Sequence, residues 1–452
     1  MTTATPTMKA GWSKIDITPP DSTDMGGFWA RPGPSIGTHD ALRGSVLLFE
    51  AHQHRVGVIS LDLVGLDAQR ADDLRVAMSR AIGNQPEDLL LCFTHTHSGP
   101  LSLSFRGMGQ MPGDYLDGLT APLVKAIEAA ADRLQPCRLS TTSVDVDLAI
   151  NRRAHWPGEL ADGSDPATLV PRQAHALQVE TDQARAVLIH YACHPVVLGG
   201  ANRLISADYP GVSVTHVEAT AGAELAIFVN GACGDLNPPR GDGDFSDVEA
   251  AGLAVGEAIV SGLQTAASLP GDTVGAVFER VDLPLMEPPS TLRTAARASI
   301  DGLKLAIKSA FNSDDLSQRR VPEARLAWAR DLLALDQAAP RIQPFALHGI
   351  RIGDLRLVGM EGEIFCRYQI DLEADHDLAW LCGYADGCVG YIPTADEYAR
   401  GGYEIDDAFT VYPSVLMVAP ASEVILRSAM GDILDRLRTG SRATPSQGTS
   451  GQ

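Results

Sequence analysis

Apolar, β-branched runs alternate with helical patterns along most of this chain, and that alternation limits what it can fold into more than any other feature. VGVISLDLVG (56–65) leads into the amphipathic stretch DAQRADDLRVAMSRAIG. DLLLCFTHTH (88–97) is a second apolar run, and after a Gly/Pro loop DYLDGLTAPLVKAIEAAADRL (114–134) predicts a long helix. ARAVLIHYACHP (184–195) and LAIFVNGACGD (225–235) read as further strands, each followed by a helical pattern. Strands and helices in this order predict an α/β fold, with mixed sheets flanked by helices. FALHGIRIGDLRLVGMEGEIF (345–365) reads as a hairpin, because Gly-Asp separates two alternating runs. Residues 291–336, rich in Ala, Leu and Arg, read as an inserted helical hairpin. No internal repeat is visible. The expected organisation is one catalytic domain over 9–439, with polar, disordered tails at 1–8 and 440–452.

Charge removes several partners. Lys and Arg number 36 against 57 Asp and Glu, a formal net charge of -21. Such a chain is repelled by polyanions, so nucleic acid and anionic membrane surfaces are poor partners. No basic segment followed by an apolar run opens the sequence, and no apolar window approaches a membrane span, so stable membrane insertion is not expected. The seven cysteines are scattered and none form a CxxC pair. Reduced thiols in the cytoplasm are the expectation.

Five segments could carry chemistry. In Thr94-His95-Thr96-His97-Ser98-Gly99-Pro100, strand alternation would turn His95 and His97 to one side and Cys92 to the other. Such a pair either ligates a metal or caps the strand end. Tyr191-Ala192-Cys193-His194-Pro195 offers another histidine, but His190 shares its parity, so spacing leaves the two open. The remaining segments are Asn230–Pro239, Glu361-Gly362-Glu363, and the block from Tyr391 to Glu404. There is no GxSxG, HExxH, Walker A or strand-linked GxGxxG.

In this order, the segments resemble the neutral ceramidase family (neutral/alkaline non-lysosomal ceramidases and their smaller bacterial relatives). The resemblance runs from AGWSKIDITPP (10–20) through GTHDALRGSVLLFE (37–50), THTHSGP (94–100), INRR (150–153), the His-Pro step at 194–195, NGACGDLNPP (230–239) and GEIF (362–365) to YIPTADEYARGGYE (391–404). It implies one zinc ion per chain, held by His95, His194, Glu363 and Tyr391. It further implies His97 as the proton-transfer group, and Arg152 (Arg153 being the alternative) with Tyr403 at the scissile carbonyl. Two His nitrogens, a carboxylate and a phenol suit zinc, which lowers the pKa of its water to about 7. His97 would take that water's proton and return it to the leaving nitrogen. Arg152 and Tyr403 would stabilise the oxyanion.

Where the family carries a serine this chain has Asn237, which cannot attack a carbonyl, so turnover is expected to run through metal-activated water. The sequence also stops short of the family's C-terminal β-sandwich domain. These departures point from ceramide itself toward a small or single-chain N-acyl compound. The expected activity is therefore that of a zinc-dependent amidohydrolase acting on a linear C–N bond. The alternatives are an esterase, lactonase or carbamate hydrolase using the same site, and a metal-binding recognition protein without turnover. Oligomeric state is left open.

Overall fold

A computed structural model describes residues 8–154, 168–311, 313–336 and 339–439. Of the expected tails at 1–8 and 440–452, residues 1–7 and 440–452 lie outside the described residues, and Met8 is buried.

Four layers stack as helices, sheet, sheet, helices. The larger sheet has nine strands. Its path runs Leu225–Asn230, Arg185–Tyr191, Gln173–Thr181, Gln135–Asp145, Lys9–Asp16, Arg43–Ala51, His54–Leu61 and Leu89–Phe93, with Ala267–Ser268 added beside Gln135–Asp145. The smaller sheet pairs Val274–Pro284, Ile342–Ile352, Leu355–Met360 and Ala379–Cys382 in that order. Alternation along each strand builds both faces. Leu89, Leu91 and Phe93 face the helices Ala68–Ile82 and Thr120–Asp132, while Leu90 and Cys92 face the smaller sheet, where Leu357, Trp380 and Cys382 meet them. The smaller sheet's outer face packs on helix Ser422–Thr439 through Leu426, Ile433 and Leu437. Each fully buried Leu or Ile contributes about 1.5–3 kcal/mol.

The mixed α/β reading is what the chain adopts. Ser290–Ser309 and Ser317–Ala334 are the inserted helices. The Gly-Asp hairpin forms as expected, with Gly353 at φ +61, the left-handed backbone that a two-residue turn needs at its first position. One expectation is corrected. The long helix across 114–134 is two, Gly113–Gly118 and Thr120–Asp132. Pro122 has no N–H to give the carbonyl four residues back, so the second helix restarts with the proline in its first turn.

One arrangement recurs three times among the described residues: an antiparallel hairpin, then a helix, then a strand parallel to the hairpin's second strand. First come Arg43–Ala51 and His54–Leu61, helix Ala68–Ile82, and Leu89–Phe93. Next come Gln173–Thr181 and Arg185–Tyr191, helix Asp208–Ala221, and Leu225–Asn230. Last come Ile342–Ile352 and Leu355–Met360, helix Cys366–Asp375, and Ala379–Cys382. Side-chain bonds draw the parallel strands together at their carboxyl ends. Ser60 Oγ donates to the Phe228 carbonyl (2.6 Å) and Asn230 Nδ2 to the Thr94 carbonyl (3.0 Å). Carboxyl ends of parallel strands are where open α/β sheets bind ligands. Among the described residues, no helix is long and apolar enough to cross a membrane.

Candidate metal centre

The loops leaving those carboxyl ends converge. His95 follows Leu89–Phe93, His194 follows Arg185–Tyr191, Glu363 follows Leu355–Met360, and Tyr384 follows Ala379–Cys382. Strand alternation does not position the two nearest histidines, however. The strand stops at Phe93, and His95 takes a left-handed φ of +65 with its N–H on the Leu63 carbonyl (2.9 Å). A non-glycine residue held there costs about 1–3 kcal/mol and persists only where the surroundings enforce it. Here the enforcement includes the His95 side chain, whose Nδ1 lies 2.5 Å from the Val64 carbonyl. Cys92 does face the other way, into the core between the sheets. Of the two histidines that spacing leaves open, His190, within Arg185–Tyr191, points into that same inter-sheet space, with Nε2 on the Leu381 carbonyl (2.7 Å), whereas His194, beyond the strand's end, enters the convergence.

A carbonyl can only accept, so His95 Nδ1 carries the proton and Nε2 keeps a lone pair. His194 is fixed alike: its Nδ1 lies 2.6 Å from the Cys233 carbonyl and 3.0 Å from that of Leu236. Both Nε2 atoms face one oxygen, Glu363 Oε2, at 2.9 Å from His194 and 3.8 Å from His95. The other carboxylate oxygen accepts from the Tyr412 hydroxyl. Three electron-pair donors thus meet in a buried space, an arrangement that calls for a shared proton or a cation. Imidazoles whose second nitrogen is anchored to a carbonyl are the usual surroundings of a bound metal, so the residues present fit the ion.

Protonation behaves accordingly. Burial pushes His95 down to about 3, more than Glu363 can offset. Burial works on His194 in the same direction, but the Cys233 sulfur and the Glu363 carboxylate carry it up to about 9. Burial would raise Glu363, yet its bond from His194 and the charge of His95 bring it to about 2. Without an ion, then, His194 holds the proton that bridges it to Glu363.

His97 Nε2 lies 3.1 Å from His95 Nε2, and one nitrogen each of His95, His97 and His194 fall within 4.8 Å of one another. Its Nδ1 is buried without a hydrogen-bond partner among the described residues. Burial, then the charges of His95 and His194, hold His97 well below the usual imidazole range, so it is neutral near pH 7. Gly27 is what admits the ring, because a Cβ there would come within 2.2 Å of His97 Cγ.

Tyr391 stands opposite Glu363 in a two-residue parallel pairing. Burial and the Glu363 charge hold its hydroxyl proton well above the usual range, with Arg152 opposing them. Arg152 is brought in by a second short pairing, in which Leu236 and Asn237 lie against Asn151 and Ile150. Its Nη2 donates to the Tyr391 hydroxyl (3.1 Å) and the Gly234 carbonyl (2.5 Å), its Nη1 to Asn237 Oδ1 (2.9 Å), and its Nε to Glu404 (2.7 Å). Asn237 thus anchors the guanidinium beside Tyr391. Arg153 turns away, fully buried between Glu397 and Glu404. Tyr403, 42% exposed, sits at the rim with its ring 6.0 Å from that of Tyr391.

Two neighbours escaped the sequence reading. Tyr384 stacks on His95 at 3.9 Å and brings its hydroxyl to 3.2 Å from His194 Nε2. Its only sequence signal is its place just past an apolar strand. Tyr412 has none.

Known proteins share this frame. Residues 8–249 match the family described as neutral/alkaline non-lysosomal ceramidase, N-terminal. The chain is 26% identical over 381 residues to a neutral ceramidase of Mycobacterium tuberculosis (strain ATCC 25618 / H37Rv), a match covering 70% of this chain and 60% of that relative's length. Among solved structures, neutral ceramidase from Pseudomonas aeruginosa superposes with a TM-score of 0.71 at 20% identity, covering 98% of this chain and 76% of that one. A ceramidase complexed with C2 gives 0.73 at 19% identity, with 98% and 77% covered.

Proposed function

As the chain belongs to the neutral/alkaline non-lysosomal ceramidase family, we propose that it hydrolyses the amide bond of an N-acyl compound at one zinc ion held by His95, His194, Glu363 and Tyr391. The observation that carries this reading is the pair of anchored imidazoles turned on one Glu363 oxygen. Zinc, when bound, lowers the pKa of water to about 7 and polarises a carbonyl.

The chain's own residues supply the rest. Neutral His97 accepts a proton and passes it to the leaving nitrogen. Arg152, fixed by Glu404, Asn237 and the Gly234 carbonyl, keeps a positive charge beside the Tyr391 hydroxyl, ready for the oxyanion. Tyr403 adds a hydroxyl from the rim. The substrate is a ceramide-like amide with a small or single acyl chain. Seven buried, unpaired cysteines support a cytoplasmic setting.

Zinc content measured alongside a panel of N-acyl amides and matched esters tests the reading. Faster turnover of the amides supports it. Preference for esters moves the reaction to the ester bond, and tight zinc with no turnover of either series makes the protein a binder.

Arg152→Ala should lower kcat/KM about 10²–10³-fold while zinc content stays whole. An equal loss of zinc would make Arg152 a support for Tyr391 instead. Acidity gives another expectation. Because His194 is protonated below about pH 9, zinc uptake must expel that proton, and apparent affinity should fall about tenfold per pH unit below 9 from this group alone. Competition titrations between pH 6 and 9 measure the slope, and a flat profile would mean that no proton on His194 competes with the ion.

A further inference from the structure

A second cluster of ligand-type side chains occupies the inter-sheet side of the larger sheet, and the proposed hydrolase chemistry uses none of it. His175 and His190 are direct partners across the antiparallel strands Gln173–Thr181 and Arg185–Tyr191. Their rings stack at 5.5 Å, with Trp380 against both. Glu373, from helix Cys366–Asp375, completes the group, and one ligand atom of each lies within 4.8 Å of the others.

Counting protons shows what is missing. His190 Nε2 lies 2.7 Å from the Leu381 carbonyl, so it donates, and Nδ1 is left with a bare lone pair. That nitrogen is buried in a residue of zero exposure and has no hydrogen-bond partner among the described residues. His175 Nδ1 is 2.7 Å from Ser143 Oγ, and its Nε2 is 3.3 Å from Glu373 Oε1. Gln369 holds that same oxygen: its Nε2 donates to Glu373 Oε1 (2.8 Å), while its Oε1 accepts from the Ala232 N–H (2.8 Å). A simple ion pair would account for His175 and Glu373. It would leave the His190 lone pair buried with no donor, a situation native interiors avoid. Burial, then the charge of His175, lowers His190 to about 4, so at neutral pH it supplies no proton of its own there.

We propose that His175, His190 and Glu373 bind a divalent transition ion of the zinc or cobalt class, with His190 contributing Nδ1. Two imidazoles and a carboxylate are the donor set such ions prefer, and three protein ligands leave a position for solvent. Both imidazoles have the outer hydrogen bond that fixes a ligating ring, to Ser143 and to the Leu381 carbonyl. Glu373, 20% exposed, opens the way in. An ion here ties two strands of the larger sheet to the helix that begins just after Glu363. The site is independent of the proposed hydrolysis, since it shares no ligand with it.

Co²⁺ titration of the full chain after chelation tests this, read by calorimetry and visible absorption. The unaltered chain should take up two equivalents. His194→Ala should keep one, and adding Glu373→Ala should weaken that one by more than about 100-fold, beyond the loss expected for an outer partner. In the His194→Ala background, Co²⁺ should also raise the unfolding temperature, and Glu373→Ala should cancel the rise. The proposal is overturned if His194→Ala binds no Co²⁺, or if what it binds is indifferent to Glu373→Ala. Should His194→Ala not fold, Glu373→Ala alone decides: a fall from two equivalents to one supports the site, and an unchanged count overturns it.

Discussion

His194→Ala is expected to lower hydrolysis of the N-acyl substrate by at least about 10³-fold, because Lewis-acid stabilisation supplies several kcal/mol and each 1.36 kcal/mol is tenfold in rate. Zinc content should fall with it. His194 is the nearest imidazole to Glu363 Oε2, at 2.9 Å, and its own position is fixed by two carbonyls. Alanine removes one of the proposed ligands and leaves Glu363 Oε2 without its hydrogen-bond donor, while Tyr412 still bonds the other oxygen. The informative comparison is His97→Ala, which should keep its zinc while kcat drops about 10²–10⁴-fold. Elemental analysis of both variants beside their kcat separates the roles. Near-stoichiometric zinc in His194→Ala rejects the ligand set. Loss of zinc in His97→Ala would make His97 a ligand, which its place among the three clustered imidazoles permits.

Arg153→Ala should cost about 3–5 kcal/mol of stability, the usual result of removing one partner from a buried ion pair. The side chain has no exposure. Its Nε donates to Glu397 (2.8 Å), Nη1 to Glu404 (2.6 Å) and Nη2 to the Gly401 carbonyl (2.7 Å). Arg400 reinforces the network by bonding both Glu397 and the Arg153 carbonyl. Burial would raise the Glu404 carboxyl, but Arg152 and then Arg153 hold it below its usual range. A carboxyl depressed in the folded state stabilises above its unfolded pKa, near 4.3, and that contribution is lost as pH falls through the folded value. Urea unfolding at pH 7 measures the loss, and the variant should be less sensitive to acid than its parent. A change under about 1 kcal/mol would mean the network holds little.

How much of this was legible depends on the distance over which each feature is decided. Period-two runs gave the strands, and Gly-Asp gave the hairpin, because both are local. The face-to-face packing of two sheets was hidden, since an apolar strand does not say whether a helix or another sheet will cover it. The apolar spacing across 114–134 runs on through Pro122, but the missing N–H there starts a new helix. Strand alternation alone would bring His95 and His97 to one side, but the chain achieves it with a left-handed residue beyond the strand's end. Nothing local separates His190 from His194; the bend after Tyr191 does. In the sequence Asn237 stands out only where the family carries a serine, whereas in the fold it accepts a bond from Arg152. The thrice-used strand arrangement was invisible because what recurs is chain direction, not residues.

That arrangement has a consequence for how the protein is made. The His194 imidazole and the Glu363 carboxylate it touches are 169 residues apart, and they come from the second and third of the three successive stretches. A ribosome therefore emits both imidazole-bearing stretches well before the carboxylate exists. A chain ended before Glu363 lacks the oxygen on which both imidazoles converge, and it also lacks strands that cover the larger sheet's inner face, so it is made without a complete centre.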